Sequence, residues 1–294
     1  MSGHALFRVA LPSGEVCWAR GTPEDGPRAL LPAGFSLDAV LGRSGPEATG
    51  ALAAPAETPL DGPVRVLAPV EGQEVWAAGV TYLRSRDARL AESAGQTAYD
   101  RVYTADRPEL FFKAAGWRVR GPGDPIGVRR DSTWDVPEPE LGLVLAADMT
   151  IVGYVLADDV SSRDIEGQNL LYLPQAKTFD GSCALGPCIV PATAAAPPFG
   201  LRLEIQRAGE RVFEGATSTS RMARTLEDLA GYLGRALAFP VGAILLTGTG
   251  VVPEPPFTLL PGDEVRISAD GLGALVNVAE AVGSGVSAGQ SRNV

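Results

Sequence analysis

Short apolar runs of β type recur along most of this chain, and they restrict its fold more than any other feature. They cover residues 75–80, 109–112, 141–145, 151–156, 201–206, 244–247 and 264–268. Turns such as Pro122-Gly123 and Pro261-Gly262 punctuate them, because glycine reaches left-handed backbone and proline presets the turn angle. Against these runs only two segments carry a helical period. One spans residues 81–94 and is rich in Arg and Ala; the other spans 225–238, where Leu226, Leu229, Leu233 and Leu237 line one face as core packing. The chain is therefore expected to be α+β and mainly β.

Near the start, residues 6–18 alternate apolar and polar positions around Pro12-Ser13-Gly14 and read as a hairpin. Residues 45–63 are rich in Ala, Pro, Gly, Glu and Thr without a periodic apolar pattern, as in a linker. This divides the chain into a small N-terminal domain with its linker, residues 1–63, and a larger catalytic domain, residues 64–294.

Several classes of function are excluded by simple counts. The 25 basic and 35 acidic residues leave a net charge of −10, which repels a phosphate backbone or an anionic membrane, so neither nucleic acid nor membrane is expected as partner. No run of eighteen apolar residues occurs and the first ten residues lack an export pattern. Cys17, Cys183 and Cys188 are odd in number and lack Cys-x-x-Cys spacing, as expected of reduced thiols in the cytoplasm. The one histidine, His4, lies near the terminus, so a mechanism built on a histidine base is not expected.

The chemistry concentrates in two acidic stretches. In Asp135-Val136-Pro137-Glu138-Pro139-Glu140 the prolines favour extended chain, so Glu138 and Glu140 project to one side. Residues 141–158 then read as a β-hairpin about the turn Asp148-Met149. Cross-strand partners in that register have numbers summing to 297, which sets Asp159 opposite Glu138 and on the face of Glu140. Three converging carboxylates repel unless a cation fills the site, and hard oxygen ligands suit Mg2+ or Mn2+, with Ca2+ also compatible. The alternatives are acids that simply face solvent, or a one-residue slip that presents Asp158 in place of Asp159. The polar segment 158–164 follows an apolar strand directly, and within it Arg163 and Asp164 could pair to fix the loop behind the ion.

In order along the chain, Pro108-Glu109-Leu110-Phe111-Phe112-Lys113, Val136 to Leu141, Asp158 to Ile165, Leu173-Pro174-Gln175-Ala176-Lys177, Leu246-Thr247-Gly248-Thr249-Gly250 and Pro261-Gly262-Asp263 resemble the fumarylacetoacetate hydrolase superfamily over residues 75–278. The resemblance implies a mixed β-sandwich roll of the family's C-terminal type, a homodimer or homotetramer, and Glu138, Glu140 and Asp159 as magnesium ligands. The stretches 107–113 and 166–177 are similar to the branch of 2-keto-3-deoxy-pentonate (arabinonate or xylonate) dehydratases. Such an enzyme forms 2,5-dioxopentanoate and water from this small 2-oxo acid in oxidative pentose breakdown.

On that reading the ion acidifies the C3 proton, and Lys177 either removes it or steadies the charge left behind. Glu109, in the apolar frame of Leu110, Phe111 and Phe112, would protonate the departing C4 hydroxyl. Thr249 would hold the substrate carboxylate through its hydroxyl and nearby backbone amides, while Gly248 permits close approach. Thr81 and Arg84 follow Ala78-Gly79-Val80, which resembles a substrate-site loop of the family, and Arg84 would meet a hydroxyl or carboxylate. A C–C hydrolase of acylpyruvate type or an oxaloacetate decarboxylase would use the same ligands, and a catalytically silent scaffold would bind no divalent ion.

Overall fold

Alternating residues around a tight turn make the chain begin as the expected hairpin, β1 (Ala5–Ala10) with β2 (Val16–Thr22), Ala5 lying opposite Gly21 and Ala10 opposite Val16. The computed structural model describes residues 4–56, 58–82, 102–103 and 105–284. β3 (Gly26–Leu30) extends the hairpin, and α1 (Leu37–Leu41) follows under a Ser36 cap. Next comes α2 (Gly45–Leu52), where a linker is expected from composition. The Glu47 carboxylate accepts from the Ser44 N–H and hydroxyl at 3.3 and 2.7 Å, and Ala48 and Leu52 are fully buried. The Ser44-x-x-Glu47 spacing is the signal that marks this helix start; its core side is too short and alanine-rich to show a period. β4 (Thr58–Pro59) and β5 (Arg65–Leu67) complete this part of the chain.

The remaining strands are β6 (Glu74–Gly79), β7 (Glu109–Ala115), β8 (Pro125–Arg129), β9 (Asp135–Val136), β10 (Pro139–Leu145), β11 (Ile151–Asp159) and β12 (Ser161–Ser162). Two short helices follow, α3 (Arg163–Gln168) and α4 (Leu173–Lys177), and then β13 (Cys183–Pro191), β14 (Gly200–Arg207) and β15 (Glu210–Ser218). The helix α5 (Leu226–Leu233), β16 (Ala243–Leu246), β17 (Glu264–Ala269) and β18 (Gly273–Val282) end the described chain. α5 is shorter than its leucine stripe suggests: Thr225 caps its start, Gly234 ends it, and Leu237 lies outside, 46% exposed. The helix expected over 81–94 falls, beyond Tyr82, outside the described residues.

Eleven strands form one sheet in the order β4-β3-β2-β1-β13-β11-β10-β16-β6-β7, with β5 paired to β1. A second sheet runs β15-β14-β17-β18-β8. Pairing is mostly antiparallel, but β16 with β6 and β18 with β8 are parallel, so both large sheets are mixed. β1 pairs with β13 and with β5, so strands on both sides of the boundary expected at 63/64 share one sheet.

The centre of the large sheet, β10, β11, β13 and β16, is buried on both faces, and the pleat sorts its residues between two cores. Leu141, Leu143 and Leu145 of β10 pack with Leu201, Leu203 and Ile267 of the second sheet, forming the sandwich. Val144 on the opposite face packs with Leu37, Leu41 and Leu52 of α1 and α2. This alternation decides where each carboxylate at the end of the hairpin points.

Candidate active site

Pairs Pro139–Asp158 through Val144–Gly153 all sum to 297, and a bulge shifts the register only at Leu145, which meets Ile151. Beyond the ladder, the Asp159 N–H donates to the Glu138 carbonyl at 3.0 Å, continuing the same register. Glu138, Glu140 and Asp159 therefore share the face that carries Val144 and Ala157, while Asp158 alternates to the other. One carboxylate oxygen from each of the three lies within 4.8 Å of the others, and all three residues are buried. Asp158 has a different task. Flanked by prolines, Glu138 offers its N–H to the Asp158 carboxylate at 2.9 Å.

Three cations close in on these acids. Lys177 Nζ, at the end of α4, donates to Glu138 Oε2 at 2.9 Å, Asp159 Oδ2 at 3.1 Å and Ser161 Oγ at 2.5 Å. Arg163 Nη2 meets Glu138 Oε1 at 2.8 Å, and its Nη1 lies 3.8 Å from Glu166 Oε2. This corrects the Arg163–Asp164 pairing expected from sequence. Asp164 instead accepts from Ser132, Thr133 and Ser162, because the first turn of α3 aims it away from Arg163 and towards the 132–133 segment. The third cation, Lys113 on β7, pairs with Asp159 Oδ1 and went unassigned in the sequence. Period-two spacing from Glu109 through Phe111 to Lys113, one face of a strand, is the signal that could have found it.

Burial dominates the electrostatics. The Glu140 carboxyl is held well above the usual carboxylate range by desolvation, then by the charges of Asp159 and Glu138; Lys177 and the Gly248 N–H, 2.6 Å away, oppose this. Desolvation likewise pushes Asp158 up to about 8. Three oxygen-only donors in a buried cluster, one of them kept from ionising by burial and then by the charges of the other two, fit a hard divalent cation, whose charge would offset both.

Two glycine-rich turns form the wall beside the triad. Gly248 has a φ of +87°, and a Cβ there would stand 2.1 Å from Thr81 Oγ1, so a side chain is excluded. The Thr81 hydroxyl donates to the Thr247 carbonyl at 2.6 Å, tying the turns together. Thr249 Oγ1 donates to the Val251 carbonyl at 3.0 Å. Val80, with φ 54°, holds a conformation unfavourable for a β-branched residue. Gly79, Val80, Phe111, Gly248 and Thr249 line, with the triad and Lys177, a small recess. Glu109 is half-buried at the start of β7, opposite Gly79 and on the same face as Phe111. Arg84 lies outside the described residues.

Comparison with known proteins gives a consistent setting. Residues 74–279 match the family described as fumarylacetoacetate (FAA) hydrolase C-terminal. The probable 2-keto-3-deoxyxylonate dehydratase of Haloferax volcanii is 52% identical over 211 residues, 71% of this chain and 73% of the relative. The 2-dehydro-3-deoxy-D-arabinonate dehydratase of Saccharolobus solfataricus is 42% identical over 219 residues, 72% of this chain and 74% of the relative. A solved structure of 2-keto-3-deoxy-D-arabinonate dehydratase complexed with magnesium and 2,5-dioxopentanoate superimposes with a TM-score of 0.82 at 33% identity, covering 95% of this chain and 100% of that one.

Proposed function

The chain belongs to the fumarylacetoacetate hydrolase family, and from that membership we propose that it is a magnesium-dependent dehydratase converting a 2-keto-3-deoxy-pentonate of the D-arabinonate or D-xylonate type into 2,5-dioxopentanoate and water. The observation that carries this reading is the buried convergence of Glu138, Glu140 and Asp159, with the Lys177 ammonium bonded to two of them, in a chain so similar to two pentonate dehydratases.

Glu138, Glu140 and Asp159 would hold the magnesium ion, which when bound supplies Lewis acidity towards the substrate's 1-carboxylate and 2-oxo oxygens. The other steps fall to side chains. Lys177 Nζ, beside the triad, is placed to accept the C3 proton or to stay charged against the negative charge that builds on the 2-oxo oxygen. Glu109 delivers a proton to the C4 hydroxyl, so the C3–H and C4–O bonds break and water leaves. The resulting 2-oxo-3-ene still carries the C5 hydroxyl. Loss of a C5 proton and gain of one at C3 gives the C4=C5 enol, which takes a proton at C4 to become the aldehyde. C5 is thus oxidised as the C3–C4 double bond is reduced, and no electron acceptor is needed. The Gly248 and Thr249 turn, braced by Thr81, holds the substrate carboxylate, and the Thr249 hydroxyl exchanges its bond to Val251 for one to substrate.

A cytoplasmic homodimer or homotetramer is part of the same proposal. Family membership supports the assembly, and the three free cysteines fit a reducing compartment. Among the described residues no helix is long and apolar enough to cross a membrane. The test incubates purified protein with magnesium and 2-keto-3-deoxy-pentonate and couples any 2,5-dioxopentanoate to an aldehyde dehydrogenase. Product that disappears with chelator and with Glu140→Ala is the expected result. Magnesium binding without product would redirect the search to acylpyruvates and oxaloacetate.

A further inference from the structure

We propose that Lys113 is a positioning residue for this reaction, a three-point brace that fixes Lys177 relative to Asp159 without itself meeting the substrate. Lys113 is fully buried on β7, and an ammonium in that position is costly unless all its donors are used. An ammonium has three N–H donors; here it donates to the Val160 carbonyl at 3.0 Å and to the Lys177 carbonyl, and its charge pairs with Asp159 Oδ1, so all three partners stand beside the triad. The Phe179 ring lies 5.9 Å from the same ammonium. Strand β7 needs no charge at this position for folding; an apolar side chain would fill the space without desolvating an ion.

The geometry explains why a brace is useful. Lys177 ends α4, a helix of five residues, too short to hold its own last residue in place. Its backbone carbonyl is instead bonded to Lys113, while its Nζ reaches Asp159 Oδ2, whose other oxygen Lys113 already holds. The two lysines thus grip one carboxylate from both sides, and one of them also anchors the other's main chain. Lys113 does not line the recess that Phe111, Lys177 and the triad form, so it acts through Lys177 and Asp159.

The inference rests on the dehydratase reading, in which Lys177 acts at C3. Lys113→Met is expected to lower kcat about 100-fold, the loss typical of a catalytic group displaced by about 1 Å. KM should change less than about threefold, and Mn2+ should still bind by electron paramagnetic resonance. In a Lys177→Met background, adding Lys113→Met should change the residual rate less than about twofold, because both act through one group. Multiplying losses, an effect on KM alone, or an unchanged kcat would overturn the proposal.

Should Lys113→Met not fold, Lys113→Arg keeps the charge and decides in the same way. Its planar fork cannot serve three partners converging on one point, so a loss is expected, and wild-type turnover by that variant refutes the brace. Oxalate binding to the magnesium-loaded protein, followed by calorimetry, separates this proposal from the dehydratase reading. Lys113→Met should weaken it about tenfold, again with no further loss beside Lys177→Met, even in a protein that dehydrates no pentonate. Unchanged oxalate affinity would overturn the brace whatever the substrate.

Discussion

At the turn of the β10–β11 hairpin, Asp148 is exposed. Its carboxylate accepts the N–H of Gly45 at 2.8 Å and of Thr150 at 3.1 Å, and the Gly45 bond above all holds its carboxyl below the usual range. At the open end of the same hairpin, Glu138, Glu140, Asp158 and Asp159 are buried, and desolvation drives Glu140 and Asp158 the other way. One pair of strands therefore carries the same residue type to opposite effect. The turn uses an acid to cap α2 and stabilise the fold. The open end collects acids that oppose folding and are useful only when a cation shares them.

The contrast breaks most easily at Glu140. Glu140→Ala is expected to reduce kcat/KM by about 10⁴-fold, equivalent to about 5 kcal/mol of transition-state stabilisation, while leaving the thermal midpoint of chelated protein unchanged or higher. A large fall in that midpoint would show Glu140 to be structural. Asp148→Ala, in the same coupled assay, should turn over at the wild-type rate.

Glu138 sharpens the comparison because it is buried but paired. Glu138→Gln leaves Lys177 and Arg163 facing a neutral amide and should destabilise the metal-free protein by about 3–5 kcal/mol in urea unfolding. An effect below about 1 kcal/mol, that of an ordinary exposed pair, would mean that water screens the cluster. Asp148→Ala should cost about 1 kcal/mol through its lost cap on α2, with no dependence on magnesium.

The smallest effect belongs to Asp158. At neutral pH its carboxyl, raised to about 8, is largely protonated. Asp158→Asn, which keeps an acceptor for the Glu138 N–H, should change stability by less than about 1 kcal/mol. The pH dependence has a definite sign. A carboxyl whose pKa is raised by folding binds more protons folded than unfolded, so stability of chelated protein falls as pH rises from the ordinary carboxylate range towards about 8. Glu140 adds to that fall, whereas Asp148, lowered by folding, contributes stability that is lost as pH drops through its folded value. Urea midpoints across this range should slope downward, and Asp158→Asn should flatten the slope; an unchanged slope would place the titration elsewhere.

Much of the hairpin was legible because its signals are local. Period-two apolar runs, a polar turn and two prolines specify extended strands and their register, and the expected sum of 297 holds from Pro139 to Val144. α2 and β13 were not legible for different reasons. α2 hides a capping signal in a segment whose composition looks like linker. β13 carries Gly186, Pro187 and Pro191, residues that argue against a central strand, yet it lies between β1 and β11, where partners distant in sequence supply the pairing.

By itself, then, the sequence determined the strand period, the register of the hairpin and the side to which Glu138, Glu140 and Asp159 project, since each depends on backbone alternation over a few residues. Only the tertiary structure decided which cation meets which acid. Lys113, Arg163 and Lys177 come from β7, α3 and α4, and long side chains choose partners by proximity in space. It also decided the direction of each carboxyl's pKa, because Asp148 and Asp158 are chemically the same group and differ in what surrounds them: two backbone N–H groups at an exposed turn, or a buried cluster of like charge.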